Sequence, residues 1–235
     1  MIKTIIFLHG WGADAAVWQK QTQAFQARFE VQAPAISTWD PAWLEEYLKK
    51  FSLADCLLVG WSLGGMLLLE VLARQSAAVG GLVLAGAAPV FCSQADHPWG
   101  QPPAAVRAMR RALKSNPKKV LQDFAGSCLA PGEEAFQGET AALFSGGNAA
   151  DLATGLDYLL NQDLRPLLPH FPAPPVIIQG SQDRIVPPEQ GRFLHEHLPG
   201  SSLHLLKGAG HLPFWTKAER FNEILEKIVD REPES

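Results

Sequence analysis

Residues 56–66 read Cys-Leu-Leu-Val-Gly-Trp-Ser-Leu-Gly-Gly-Met. Cys56 to Gly60 is a compact apolar run of strand length, and Ser62 to Arg74 continues as a helix-like segment. Between them Gly60-Trp61-Ser62-Leu63-Gly64 matches the pattern Gly-x-Ser-x-Gly, directly after the strand and directly before the helix. A strand-to-helix turn this tight needs glycines, because a Cβ at either place would collide with neighbouring backbone. The turn lifts the Ser62 hydroxyl above the strand ends and sets it at the positive N-terminus of the helix. A serine in a Gly-rich turn is common. The flanking strand and helix make this one a candidate nucleophile.

Outward from that turn, short apolar runs alternate with helix-like segments. Thr4 to Leu8, Phe29 to Ala33 and Gly81 to Ala85 read as further strands, and Ala15 to Phe29 and Pro41 to Phe51 as helices. Pro41 stands at a plausible first helical position. The alternation implies an α/β fold with a mostly parallel, doubly wound sheet covered on both faces. It stops at residue 91. From there to residue 165 the pieces 103–114, 117–129, 133–144 and 148–162 all read as helix. The rhythm then returns with Pro175 to Gly180 and Ser202 to Leu206 as strands, and Glu189 to Leu198 and Lys217 to Val229 as helices. Residues 1–90 and 166–235 are therefore expected to form the core. Residues 91–165 are expected to form an inserted all-helical cap over the carboxyl ends of the strands, where such sheets hold ligands. The proline-rich stretch from Pro166 to Pro175 reads as a hinge.

A free hydroxyl is barely nucleophilic at neutral pH, so Ser62 needs a base. A serine on this kind of turn takes its acid and then its histidine from farther down the chain. Asp183 follows the strand Val176 to Gln179 in Gly180-Ser181-Gln182-Asp183, and His211 follows the strand Ser202 to Leu206 in Gly208-Ala209-Gly210-His211. One helix and one strand fit between them. Both loops then open on the same edge as Ser62, because parallel strands all point one way. His211 is read as the base and Asp183 as its orienting acid. Asp157 and Asp163 are acids of the right type but fall in the expected cap. His195, His197, His204 and His170 read as surface or packing residues, and His97 as a residue at the start of the cap. Two backbone donors for a developing oxyanion are expected at Leu63, after the nucleophile, and at Trp11 in His9-Gly10-Trp11-Gly12.

Bulk composition sets outer bounds. The chain has 235 residues, is 47% hydrophobic and 19% charged, and carries a net charge of −4. That is globular composition, and it argues against nucleic-acid binding by the whole molecule. No apolar stretch is long enough to span a bilayer, and the N-terminus shows no signal-peptide pattern. Cys56, Cys92 and Cys128 lie far apart with no metal-type spacing, and an odd thiol count without a signal pattern suggests a reducing cytoplasm. The chain is read as a cytoplasmic monomer needing no metal or organic cofactor.

With these residues in view, His9-Gly10-Trp11-Gly12, Gly60 to Gly65 and Gly208-Ala209-Gly210-His211-Leu212-Pro213-Phe214 resemble the α/β-hydrolase superfamily. They are most similar to the pimeloyl-[acyl-carrier protein] methyl ester esterases of biotin synthesis. Ala88-Pro89-Val90-Phe91-Cys92-Ser93 and Gly155-Leu156-Asp157-Tyr158-Leu159-Leu160 resemble the two ends of that family's cap. Two features depart from the superfamily pattern. The usual first antiparallel strands are missing or reduced, and the loop Ala35-Ile-Ser-Thr-Trp-Asp-Pro41 lacks a Gly-x-Gly-x-Ser signature.

The resemblance implies a serine carboxylesterase in which Trp11, Ser62, Leu63, Phe124, Cys128 and His211 contact the substrate, Phe124 and Cys128 from the cap. It also implies that basic cap residues engage an acidic acyl carrier protein. No acidic residue lies between Asp96 and Asp123, while Arg107, Arg110, Arg111, Lys114, Lys118 and Lys119 do. The first four recur at helical spacing and would share one face. Trp61, Phe91, Trp99 and Phe214 are candidates for the cleft wall. Other readings stay open: a general carboxylesterase for small soluble esters, a lyase of the kind some menaquinone-pathway relatives are, and a ligand-binding module that retains the triad.

Overall fold

The protein is described here from a computed structural model that covers residues 1–36, 38–75, 78–144 and 147–230. Ser37, in the loop that departs from the superfamily pattern, lies outside the described residues, as do residues 231–235 of the expected core. In chain order, β1 (Thr4–Leu8) leads through a 3-10 turn at Ala15–Trp18 into α1 (Gln19–Phe25). There follow β2 (Glu30–Gln32), α2 (Pro41–Leu48), β3 (Cys56–Trp61), α3 (Leu63–Ala73) and β4 (Gly81–Ala85). Four helices come next: α4 (Pro103–Ala112), α5 (Pro117–Ser127), α6 (Gln137–Leu143) and α7 (Ala149–Asn161). The chain then closes with β5 (Val176–Gly180), α8 (Pro188–His197), β6 (Ser202–Leu206), α9 (Pro213–Thr216) and α10 (Ala218–Val229).

The six strands form one sheet in the order β2-β1-β3-β4-β5-β6, and every pairing is parallel. This is the expected α/β architecture. β1 and β3 are buried along their whole length because helices cover both faces, which is why they read as unbroken apolar runs rather than alternating ones. On one face Trp18 packs against Phe214 with ring centroids 4.3 Å apart and stacks on Phe7 at 4.9 Å. The chain runs outward from β1 in both directions, to β2 on one side and to β3 on the other. The loops after β1 and β3 therefore part there and leave a crevice at the carboxyl edge of the sheet.

Local chemistry explains several element boundaries. Asp40 caps α2 by accepting from the Ala42 amide at 2.9 Å, with Pro41 in the first turn. Asn148 caps α7 through the amides of Ala150 and Asp151. One expectation needs correction. The helix expected over Ala15 to Phe29 divides into a 3-10 turn and a short α1, since Val17 and Trp18 must both turn inward. The proline-rich stretch Pro166 to Pro175 begins within a 3-10 turn, Arg165–His170, in which Leu168 is buried.

The segment between β4 and β5 starts and ends at one place. Val90 and Asp163 form an antiparallel bridge, and the Leu164 amide donates to the Pro89 carbonyl at 2.8 Å. Its helices thus leave the sheet and return to it at the same point, above the carboxyl ends of the strands.

The β3–α3 turn has no spare room. A Cβ on Gly60 would lie 2.6 Å from Gly65 Cα, and one on Gly64 would lie 2.5 Å from the His9 carbonyl oxygen. Both obstacles are backbone, so neither can rotate away. Gly64→Ala is expected to lower stability by about 1–3 kcal/mol through overpacking, read as a lower urea midpoint. A midpoint equal to wild type would mean that α3 slides away from β1 at no cost.

Candidate active site

Ser62 joins β3 to α3 with φ at +54°, the one non-glycine residue with positive φ among the described residues. Such a conformation survives only where its surroundings over-determine it, and such places cluster at functional sites. Here β1, the Gly60–Gly65 contact and α3 hold it. Met66 N–H donates to the Ser62 carbonyl at 3.0 Å, which starts α3 and aims its dipole at the serine.

Asp183 and His211 come from the loops after β5 and β6, and both meet Ser62. His211 Nε2 lies 3.0 Å from Ser62 Oγ, and His211 Nδ1 lies 2.7 Å from Asp183 Oδ2. A carboxylate only accepts, so Nδ1 carries the proton and the Nε2 lone pair faces the hydroxyl. Asp183 is held on every side. Its Oδ1 accepts from the amides of Ile185 (2.8 Å) and Val186 (2.9 Å), and its Oδ2 also accepts from Gln179 Nε2 (3.0 Å). All three side chains are at most 5% exposed. The arrangement can take a proton from Ser62 onto an imidazole whose charged form faces a fully hydrogen-bonded carboxylate.

The amides of Trp11 and Leu63, the expected oxyanion donors, make no hydrogen bond within the described residues. Leu63 opens α3, and Trp11 stands in the turn after β1. The Trp11 indole donates to the Leu152 carbonyl at 2.8 Å and meets Phe124 edge-on at 5.0 Å. From Trp11 a groove of about 640 Å³ runs under α4, α5 and α7, lined by Phe91, Val106, Met109, Phe124, Leu156 and Ile185 among others.

Other expected site residues fall differently. Phe124 lines the groove, whereas Cys128 does not. Cys128 is fully buried, its carbonyl accepts the His211 amide at 2.7 Å, and burial pushes its thiol well above the ordinary range. It belongs to the packing behind His211. The basic stripe is shorter than its spacing predicts, because α4 ends at Ala112 and leaves Lys114 beyond it. Arg110 forms a two-pronged ion pair with Asp157 of α7. Arg107, Arg111 and Lys114 are exposed and form no ion pair among the described residues. Of the cleft aromatics, Phe91 lines the groove, Trp61 and Phe214 fill the core, and Trp99 packs on His97 and Phe193. His97 is buried and hydrogen-bonded to Gln190 Oε1 at 2.7 Å.

Two site residues were not anticipated. Gln179 fixes Asp183, and a polar side chain directly after the apolar run Val176 to Ile178, still within the strand, was a readable sign of it. Gln101 donates to the carbonyls of Arg184 (2.7 Å) and Ile185 (2.8 Å), tying the start of the helical segment to the acid's loop. Nothing in its neighbourhood in the sequence marks it.

Residues 5–224 match the alpha/beta hydrolase family. The chain is 28% identical over 241 residues to a pimeloyl-[acyl-carrier protein] methyl ester esterase of Neisseria meningitidis, covering 97% of this chain and 94% of that protein. A protein of the same name from Chromobacterium violaceum is 28% identical over 241 residues, with 96% and 94% covered. Among solved structures, an esterase from Exiguobacterium antarcticum superposes with a TM-score of 0.88 at 24% identity, covering 97% of this chain and 92% of that one. That last likeness is one of fold.

His9, in the turn beside Ser62, gives this edge of the site a pH dependence. Its Nδ1–H donates to the Gly10 carbonyl (2.9 Å) and its Nε2 accepts from the Ile36 amide (2.9 Å), so the ring is neutral. Burial lowers its pKa below the ordinary value. On acidification the unfolded chain takes up this proton first, so stability is lost as pH falls below about 6.5, at up to about 1.4 kcal/mol per pH unit. His9→Asn is expected to flatten that part of the stability–pH curve in urea titrations. A wild-type curve already flat between pH 6.5 and 5 would refute the assignment.

Proposed function

This chain belongs to the alpha/beta hydrolase family, and from that premise we propose that it is a serine carboxylesterase that removes the methyl ester of pimeloyl-[acyl-carrier protein]. The observation that carries the reading is the unbroken line from Ser62 Oγ through His211 to Asp183, with an apolar groove that reaches Trp11 and the acid's loop at Ile185. The names of the relatives, which span nearly the same length, support the choice of ester.

In this reading Ser62 Oγ attacks the ester carbonyl as His211 Nε2 takes its proton. The oxyanion is met by the amides of Leu63 and Trp11, neither of which is spoken for. His211 returns the proton to the leaving methanol. Water then attacks the acyl-enzyme, again through His211, and the free carboxylate departs. Asp183 keeps the imidazole in one tautomer and stabilises its charged form throughout. The chemistry calls for no metal or organic cofactor.

The groove suits a flexible alkyl chain, since Val106, Met109, Leu156 and Leu159 offer area and few hydrogen-bonding groups. Arg107, Arg111 and Lys114 supply an exposed cationic edge for an acidic carrier. The pairing of Arg110 with Asp157 weakens that edge and favours a second reading, a general carboxylesterase for small soluble esters.

Methyl pimeloyl-carrier protein and free dimethyl pimelate separate the two. Ser62→Ala is expected to lower kcat on both by on the order of 10⁴-fold or more. Wild type is expected to prefer the carrier-bound ester, and equal or better kcat/KM on the free ester would leave only the general esterase. Arg107→Glu combined with Arg111→Glu is expected to reduce kcat/KM for the carrier-bound ester by roughly tenfold at low salt, converging with wild type as salt screens the charges. No change at low salt would remove α4 from the carrier contact.

A further inference from the structure

A buried carboxylate that the proposed reaction does not use lies behind the histidine. Glu133, in the turn between α5 and α6, is 1% exposed. Its Oε2 accepts from the Ala130 amide at 2.9 Å and from the Gly210 amide at 3.0 Å. Its Oε1 has no partner among the described residues. A carboxylate so buried, with one oxygen unsatisfied, is a costly way to fill space, and packing alone would favour an apolar side chain. The Ala130 bond is local to its own turn. The Gly210 bond is not: it joins the helical segment to the residue that immediately precedes His211.

That bond is one of a set. The His211 amide donates to the Cys128 carbonyl at 2.7 Å, and a Cβ on Gly210 would lie 2.4 Å from that same oxygen. Consecutive amides at 210 and 211 are thus both held by residues 128–133, while the ring of His211 is held from the other side by Asp183 and Ser62. Clamping the backbone sets where the ring pivots, and with it the 3.0 Å separation between Nε2 and Ser62 Oγ.

We propose that Glu133 is a positioning residue, which acts through the Gly210–His211 backbone to hold the imidazole between Ser62 and Asp183. The claim rests on the esterase reading for its kinetic consequence and on geometry alone for its structural one. Glutamine is the informative replacement, because its carbonyl oxygen can accept both amides. Alanine removes the acceptor, and aspartate keeps the charge but shortens the reach.

The test measures kcat and KM on p-nitrophenyl butyrate, the rate of Ser62 labelling by a fluorophosphonate, and the downfield ¹H NMR resonance of the His211 Nδ1 proton. Glu133→Ala is expected to lower kcat and the labelling rate by roughly tenfold or more through misplacement of the ring, to leave KM within about twofold, and to broaden or shift the downfield proton. Glu133→Gln is expected to restore most of the rate and the resonance. If Glu133→Ala does not fold, Glu133→Asp takes its place, with the same loss expected while Glu133→Gln is retained. Wild-type rates and an unmoved resonance in folded Glu133→Ala or Glu133→Asp would overturn the proposal. A wild type that cleaves no ester would defeat the esterase reading instead, and the NMR comparison of the same variants would still decide the positioning role.

Discussion

The close approach of β1, β3 and α3 around Ser62 is the contact on which the rest of the site depends. Gly60 against Gly65 and Gly64 against the His9 carbonyl leave no volume for side chains, so α3 starts directly on the end of β3. That forces Ser62 to φ +54°, a conformation that a serine in an ordinary turn has no reason to adopt. The strain has a consequence. It points Oγ out of the sheet edge, toward the only side from which loops after other parallel strands can reach it. With the serine aimed there, a base and its acid can come from β6 and β5 without any element crossing the sheet.

The helical segment between β4 and β5 is bound to each part of that edge. The Leu152 carbonyl accepts a hydrogen bond from the Trp11 indole beside the expected oxyanion turn, and Tyr158 donates to buried Glu70 of α3 at 2.5 Å. Gln101 holds the acid's loop, and residues 128–133 hold the histidine's loop. These bonds are mostly buried, where an unmade partner is expensive. To leave the sheet edge the segment would have to break contacts at four separate places. The antiparallel bridge that closes the segment's base adds a further contact.

Much of this was legible in the sequence, and the exceptions have a common cause. The sheet, the turn at Ser62 and the places of Asp183 and His211 follow from local pattern: apolar runs of strand length, glycines where backbones touch, loops at the same ends of parallel strands. Residues that act across long separations left little trace. Glu133 and its exposed neighbour Glu134 look alike in Pro131-Gly132-Glu133-Glu134, and only the arrival of Gly210 distinguishes them. Arg110 matched its neighbours Arg107 and Arg111 in spacing, yet Asp157 of α7 takes it out of the exposed set. Cys128 was implied only by the family resemblance, and in the structure it is buried just past the end of α5, with its carbonyl accepting the His211 amide.

One helix carries the two properties that the proposed substrate requires. α4 sets Val106 and Met109 toward the groove, while Arg107 and Arg111 stand exposed. A strongly amphipathic helix of this kind is usually explained by one buried face and one solvated face. Here the apolar face is only partly covered by protein, because the groove takes the remainder. The position of α4 therefore governs both the width available to an alkyl chain and the presentation of the cations above it. Arg110 sits between the two faces and links α4 to α7 through Asp157, so the charge that it withholds from a partner serves to fix the helix carrying the others. The ion pair that takes Arg110 out of the exposed set thus anchors the helix that carries Arg107 and Arg111, and the cationic edge is weaker by that one charge.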